Sequence, residues 1–127
     1  MIGASADGIA AIARLVSRLP RDLAAPVLVV QHVGRTSIGC LPEILAKASP
    51  LRAIHPYDGQ PVEAGTIFVA PPDHHMLVCG GLLHLTRGPR ENYCRPSVDV
   101  SFRSAALAYG AEARALPLRA RARVHRI

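Results

Sequence analysis

Hydrophobic residues near the start of the chain follow two different spacings. A short apolar segment at residues 1–4 precedes apolar side chains at helical spacing, and that stripe ends at Pro20. Residues 27–30 then form a continuous apolar run. The helical spacing predicts an amphipathic helix, whereas a continuous run is typical of a strand covered on both faces. The order strand, helix, strand predicts two parallel strands joined by a crossover helix.

The alternation of strands and helices continues to Gly110. A second helical stripe covers residues 38–48, with Pro42 in the first turn, where proline is tolerated. A third helix starts at Ser97, which we expect to cap it, and ends at Gly110. Between these two helices, residues 51–54 and 66–70 have the composition of further strands.

Residues 75–78 and 82–86 flank a two-glycine turn, which predicts an antiparallel hairpin. The whole pattern predicts an α/β, doubly wound, Rossmann-like three-layer fold with a mostly parallel sheet and this hairpin. No strand is expected after residue 110, so the sheet is predicted to be incomplete at its C-terminal side. We therefore divide the chain into a partial domain, residues 1–110, and an Arg/Ala-rich tail, residues 111–127.

Length and composition narrow the class of protein. At 127 residues, 50% of them hydrophobic, the chain suits one domain with its own core. Its three cysteines are widely spaced, which argues against a disulfide framework and a structural zinc site. The chain shows neither an apolar run of about 18 residues nor a signal-peptide pattern, so we expect a cytoplasmic protein without membrane insertion.

The positive charge of the chain is concentrated at its end. The formal net charge is +6, but residues 1–113 hold ten basic and nine acidic residues, a net of +1. The remaining +5 comes from Arg114, Arg119, Arg121, Arg123 and Arg126. Nucleic-acid binding through this tail is one hypothesis, but the tail has no aromatic residue to stack on bases and no known motif. We therefore expect no nucleic-acid partner.

Two polar residues stand where chemistry is usually found in an open α/β sheet. Ser5 follows the first predicted strand and His32 follows the second. If these strands are neighbours, about 4.8 Å apart, the histidine can accept the serine proton during attack on a carbonyl. Taken singly, each residue has a structural alternative, because a serine at such a turn is often a helix cap and a histidine ending a strand is often structural.

Four separated segments together resemble the catalytic domain of chemotaxis protein-glutamate methylesterases (CheB-type). They are Ile2-Gly3-Ala4-Ser5, residues 26–32, Val69-Ala70-Pro71-Pro72-Asp73-His74-His75, and the stretch from Gly88-Pro89-Arg90-Glu91 to Arg95-Pro96-Ser97-Val98-Asp99-Val100. Their order and spacing also agree with this family. The resemblance extends from Ile2 to about Gly110.

The resemblance implies a carboxylic ester hydrolase in which Ser5 is the nucleophile and His32 the general base. Its substrates would be glutamate methyl esters on the cytoplasmic helices of methyl-accepting chemoreceptors, and some relatives also deamidate glutamine. It implies no metal and no organic cofactor. His74 and His75 fit that expectation, because neighbouring residues of a strand point to opposite faces. The oligomeric state is left open.

Two departures from the family pattern bear on activity. The triad aspartate of the family lies in a glycine-rich loop after the next strand, for which residues 111–127 offer no counterpart. We interpret this tail as an out-of-frame or truncated end. In addition, Asp7 replaces a glycine close to where oxyanion charge would develop, which opposes catalysis, or else it caps the following helix.

These departures leave a second reading from a different class. The chain would then be a catalytically inactive remnant that still binds receptors, with Arg87, Arg90 and Arg95 of one loop facing acidic surfaces.

Overall fold

The computed structural model of the chain describes residues 1–4, 8–31, 40–89, 96–110 and 116–118. Its helices are α1 (Ile9–Val16), α2 (Leu41–Ala48) and α3 (Val98–Tyr109). Its strands are β1 (Ile2–Ala4), β2 (Val27–Gln31), β3 (Arg52–Ile54), β4 (Gln60–Pro61), β5 (Thr66–Val69), β6 (His75–Cys79), β7 (Leu82–Thr86) and β8 (Leu116–Leu118).

Five strands form a parallel sheet in the order β3-β5-β2-β1-β8. Strand β2 lies at the centre and is buried along its whole length, as its continuous apolar run predicts. Strands β4, β7 and β6 form a separate antiparallel sheet. The predicted α/β class, with a mostly parallel sheet and an antiparallel hairpin, is confirmed.

Alternate residues of the central strands pack into two separate hydrophobic cores. Val29 and Val69 point toward the face covered by α1 and α2, where Ile12 and Leu45 are buried with them. The opposite face carries Leu28, Val30 and Phe68, packed against Met76, Val78 and Leu83 of the antiparallel sheet. One face of the parallel sheet is therefore covered by helices, and the other by a small sheet together with α3.

The hairpin has the predicted turn, but it gains a third strand. Gly80 and Gly81 have φ values of 60° and 76°, the positive pair that a two-residue type I′ turn requires. Strand β4 pairs with β7, with Gln60 opposite Leu83. Strand β4 is not among the strands expected from the sequence, because two residues, one of them a proline, carry no strand periodicity.

Strand β8 corrects the expectation that no strand follows residue 110. Leu116–Leu118 pair in parallel with β1, with Leu116 opposite Ile2. The strand has three residues and a central proline, so neither alternation nor β-propensity marks it in the sequence. The division of the chain at residue 110 stays a prediction.

Helix α3 contacts the antiparallel sheet through serines as well as apolar side chains. The Ser101 hydroxyl donates to the Met76 carbonyl oxygen at 2.6 Å, and the Val78 amide donates to Ser104 Oγ at 3.1 Å. Both partners lie on β6, an edge strand, so the helix satisfies backbone groups that a neighbouring strand would otherwise pair. Ser97 occupies the expected N-cap position but makes no side-chain capping bond, which corrects that detail.

Candidate active site

The first two parallel strands bring the predicted catalytic positions to adjacent strand ends. Strands β1 and β2 pair in parallel with Ala4 opposite Gln31. Ser5 and His32 are the next residues of the two strands. The prediction that these two strands are neighbours is confirmed. Ser5 and His32 lie outside the described residues, so their mutual contact stays a prediction.

Helix α1 starts after the serine, with its N-terminus toward the same edge. The helix begins at Ile9, and Gly8 occupies the N-cap position with no side-chain capping bond. Ser5 and Asp7, the two residues considered as caps, therefore precede the N-cap position and lie outside the described residues. Free backbone N–H groups at a helix N-terminus favour negative charge, such as a developing oxyanion.

Gly3 allows α3 to approach β1 closely next to this edge. A Cβ atom at Gly3 would lie 2.5 Å from Val98 Cγ1 and 3.2 Å from Phe102 Cζ. Real side chains do not tolerate the first of these distances, so only glycine fits unless the Val98 side chain or α3 shifts. This packing explains the glycine two residues before Ser5.

A third strand end borders the first two at the carboxyl edge of the sheet. Strand β5 pairs with β2, with Val69 opposite Val29, and the Ala70 amide extends the pairing by donating to the Val29 carbonyl at 2.9 Å. The chain then turns through Pro71, Pro72 and Asp73. The carboxyl ends of β1, β2 and β5 therefore lie side by side, the usual place for a site in such sheets.

Asp73 forms the shortest ion pair described at this edge. Its carboxylate lies 2.5 Å from Arg87 Nη2, and its side chain is 10% exposed whereas that of Arg87 is 63% exposed. Asp73 also has a φ of 61°, in the left-handed region that aspartate enters more readily than most residues. A buried carboxylate thus holds an arginine that faces solvent.

The two adjacent histidines have separate structural partners. His74 Nδ1 donates to the Pro72 carbonyl at 2.8 Å, and His75 Nε2 donates to the Pro89 carbonyl at 2.8 Å. His75 is buried, and its Nδ1 has no hydrogen-bond partner among the described residues. The described part of the chain contains no group of three His, Cys, Asp or Glu residues suited to a metal ion.

Two contacts thereby tie the segment after β7 to the turn after β5. Arg87 binds Asp73, and the Pro89 carbonyl binds His75. The sequence does not predict these two pairings, because the partners are fourteen positions apart in both cases. Arg90 and Arg95, grouped with Arg87 on the basis of the sequence, lie outside the described residues.

Comparison with known proteins identifies the family. The sequence model of the family described as CheB methylesterase matches residues 1–118. The Thermotoga maritima CheB methylesterase catalytic domain has a similar structure, with a TM-score of 0.82 and 28% sequence identity over 93% of this chain and 64% of that one. A parallel α/β sheet with polar residues following adjacent strands places a site where α/β proteins usually have one. The chain belongs to the CheB methylesterase family.

Curated relatives agree with this assignment. The chain is 39% identical to a protein-glutamate methylesterase/protein-glutamine glutaminase 2 of Caulobacter vibrioides, over 84% of this chain and 32% of the relative. It is 39% identical to the protein of the same description from Methanosarcina acetivorans, over 92% of this chain and 35% of the relative. The chain thus spans about a third of the length of these relatives.

The match to the family extends beyond the resemblance found in the sequence. It includes β8, whereas the four recognised segments ended near Gly110. None of the three helices in the described part of the chain is long and apolar enough to span a bilayer.

Proposed function

We propose that this chain is the part of a cytoplasmic protein-glutamate methylesterase that carries the nucleophile and the general base. Its substrates are glutamate methyl esters on the cytoplasmic helices of chemoreceptors. The observation that carries the proposal is the register of β1 with β2, because pairing of Ala4 with Gln31 makes Ser5 and His32 the next residues of adjacent strands.

The reaction follows the usual course of serine ester hydrolysis. Ser5 Oγ attacks the ester carbonyl carbon while His32 takes its proton, and the N-terminal amides of α1 stabilise the oxyanion. His32 then gives the proton to the departing methoxide, which leaves as methanol. Water, activated by His32, attacks the acyl-serine and releases the glutamate carboxylate and free Ser5.

Glutamine deamidation fits the same site. The relatives' names include protein-glutamine glutaminase. Attack of Ser5 on a side-chain amide gives the same acyl-serine, with ammonia as the leaving group in place of methanol. Neither reaction needs a metal or an organic cofactor.

No residue of this chain is assigned as the acid of the triad, which limits the rate of hydrolysis expected from these 127 residues. Asp73 lies at the carboxyl edge of the parallel sheet, but its carboxylate is bound to Arg87. Asp7 follows Ser5 by two positions in the sequence. Serine hydrolases that lose the triad aspartate slow by about 10⁴-fold, because the imidazole is no longer held in the right tautomer. We therefore propose slow hydrolysis by this chain alone, dependent on Ser5.

The test is methanol release from a methylated receptor fragment. The wild-type chain is compared with Ser5→Ala and His32→Gln, and Ser17→Ala serves as the control because its exposed hydroxyl binds only the Arg14 carbonyl among its described partners. We expect both site variants to fall to the uncatalysed rate and the control to match wild type. Equal rates for wild type and Ser5→Ala would eliminate the hydrolase.

The alternative is a receptor-binding protein without catalysis. It is favoured by the solvent-exposed Arg87 at the carboxyl edge of the parallel sheet. Retained binding of the receptor fragment, with methanol release that does not depend on Ser5, would support this alternative.

A further inference from the structure

Arg87 lies at the same edge of the parallel sheet as the proposed catalytic residues. Strand β6 starts shortly after β5 ends, and β7 runs back beside it, so that Thr86 pairs with His75. The next residue, Arg87, therefore returns to the carboxyl end of β5, where it meets Asp73. Strand β5 is the neighbour of β2, which His32 follows.

The position of Arg87 is fixed by buried neighbours. Asp73 is held in a left-handed conformation between Pro72 and His74, with its carboxylate largely buried. Two residues beyond Arg87, the Pro89 carbonyl accepts a hydrogen bond from the buried His75. An arginine whose guanidinium is already held by an ion pair loses less side-chain entropy when it binds a ligand.

The chemistry of Arg87 suits a carboxylate. Its side chain is 63% exposed although Nη2 contacts Asp73. A guanidinium carries five N–H donors in a planar fork, so one arginine can contact two carboxylates at once. Hydrolysis of a glutamate methyl ester itself creates a carboxylate, so a helix with several target glutamates presents carboxylates beside the remaining esters. On a helix, residues three or four apart lie on the same face.

We propose that Arg87, positioned by Asp73, binds a carboxylate one helical turn from the target ester and thereby makes the site prefer acidic, partly hydrolysed substrate helices. The inference rests on the proposed function for the identity of the substrate. Arg87 takes no part in the chemical steps at Ser5 and His32.

Binding of synthetic helical peptides tests this role without requiring turnover. Fluorescent peptides carry glutamine at the target position and Glu, Gln or Lys four residues away, and anisotropy gives Kd for the full chain. We expect the Glu peptide to bind about fivefold more tightly than the Gln peptide, the effect of one exposed charged contact of about 1 kcal/mol. The Lys peptide should bind most weakly, and equal affinities for the three peptides would overturn the proposal.

Net charge alone must be separated from a specific contact. A peptide of the same composition, with its glutamate two positions from the target and so on another face, should lose the fivefold gain for the wild-type chain. Arg87→Gln should abolish the preference for the Glu peptide, and Arg87→Lys should retain part of it.

The matched control is Arg52→Gln. Arg52 is 60% exposed and lies 3.7 Å from Glu63, but it begins β3 at the opposite, amino edge of the sheet. The substitution removes the same charge and should leave the peptide preference unchanged. If Arg52→Gln and Arg87→Gln reduce the preference equally, or if neither does, Arg87 has no specific role.

Failure of this inference is distinguishable from failure of the proposed function. Ser5→Ala tests hydrolysis, whereas the peptide preference is a binding property that this variant should keep. A purely structural role for Arg87 would lower the unfolding temperature of Arg87→Gln while the remaining folded protein kept the fivefold preference, and that result would overturn the proposal.

Discussion

Asp73 combines a left-handed backbone with a buried charge, and two substitutions separate these properties. Asp73→Asn and Asp73→Ala both remove the carboxylate that binds Arg87. Asparagine tolerates a φ of 61°, whereas alanine pays about 1–2 kcal/mol for it. We expect urea unfolding to show both variants destabilised, with Asp73→Ala the less stable by about 1 kcal/mol. Equal stabilities would mean that the backbone at this position relaxes without cost.

Gly3 offers a second test at the scale of one atom. In Gly3→Ala the new Cβ would lie 2.5 Å from Val98 Cγ1, so the Val98 side chain or α3 must shift. We expect a loss of about 1–3 kcal/mol in the free energy of unfolding, the usual cost of overpacking. The matched variant is Gly3→Ala with Val98→Ala, which removes both Val98 atoms that cause the clash.

A double-mutant cycle tests this prediction for Gly3. The loss in the double variant should be smaller than the sum of the two single losses, because the clash exists only with both side chains present. Additive losses measured by urea unfolding would contradict close packing of α3 on β1.

Ser5 and His32 were predicted as catalytic residues because each follows an apolar strand, and their roles stay a prediction. The structure confirms only that the two preceding strands are neighbours. The Asp73–Arg87 contact was not foreseen, because it depends on the return of β7 to the start of β6. A sequence pattern gives the elements but not which side chains meet across fourteen residues.

At the scale of elements, α3 acts as the partner of an edge strand. Ser104→Ala removes the acceptor of the buried Val78 amide, and an unsatisfied buried donor costs about 1–3 kcal/mol. We expect this destabilisation together with faster hydrogen exchange at the Val78 amide. Ser17→Ala, which removes an exposed serine hydroxyl, should change neither property. Unchanged exchange at Val78 in Ser104→Ala would show that α3 does not protect β6.

Long elements were predicted well because their periodicity is strong. Pro42 lies in the first turn of α2, as expected, although the helix begins at Leu41 and not at residue 38. Strands β4 and β8 were missed because both are very short and contain proline. Their pairing depends on backbone groups of β7 and β1, which hydrophobic patterning does not reveal.

For the whole molecule, the contribution of β8 to the parallel sheet determines how much the C-terminal residues matter for stability. Strand β1 lies between β2 and β8, and it leads directly to Ser5. Without β8, β1 becomes an edge strand with unpaired backbone groups, which favours association with other chains. Both the stability of the parallel sheet and the rate of hydrolysis at its edge should therefore depend on β8.

Two C-terminal deletions test this dependence at equal charge. Deletion of residues 119–127 removes four arginines and leaves a net charge of +2, that is, 6 − 4. Deletion of residues 111–127 removes five arginines and Glu112, which also leaves +2, that is, 6 − 5 + 1. Any difference in solubility or stability between these two variants therefore comes from residues 111–118, which include β8. It does not come from net charge.

We expect the shorter deletion to keep the unfolding temperature and monodispersity of the full chain, because β8 still pairs with β1. The longer deletion should unfold at a lower temperature and aggregate at concentrations where the shorter one stays in solution, as measured by differential scanning fluorimetry and light scattering. Methanol release by the longer deletion should fall as well, since β8 pairs with β1, the strand that leads to Ser5. If both deletions behave alike, β8 does not stabilise the sheet, and the boundary at residue 110 is the better description of the domain.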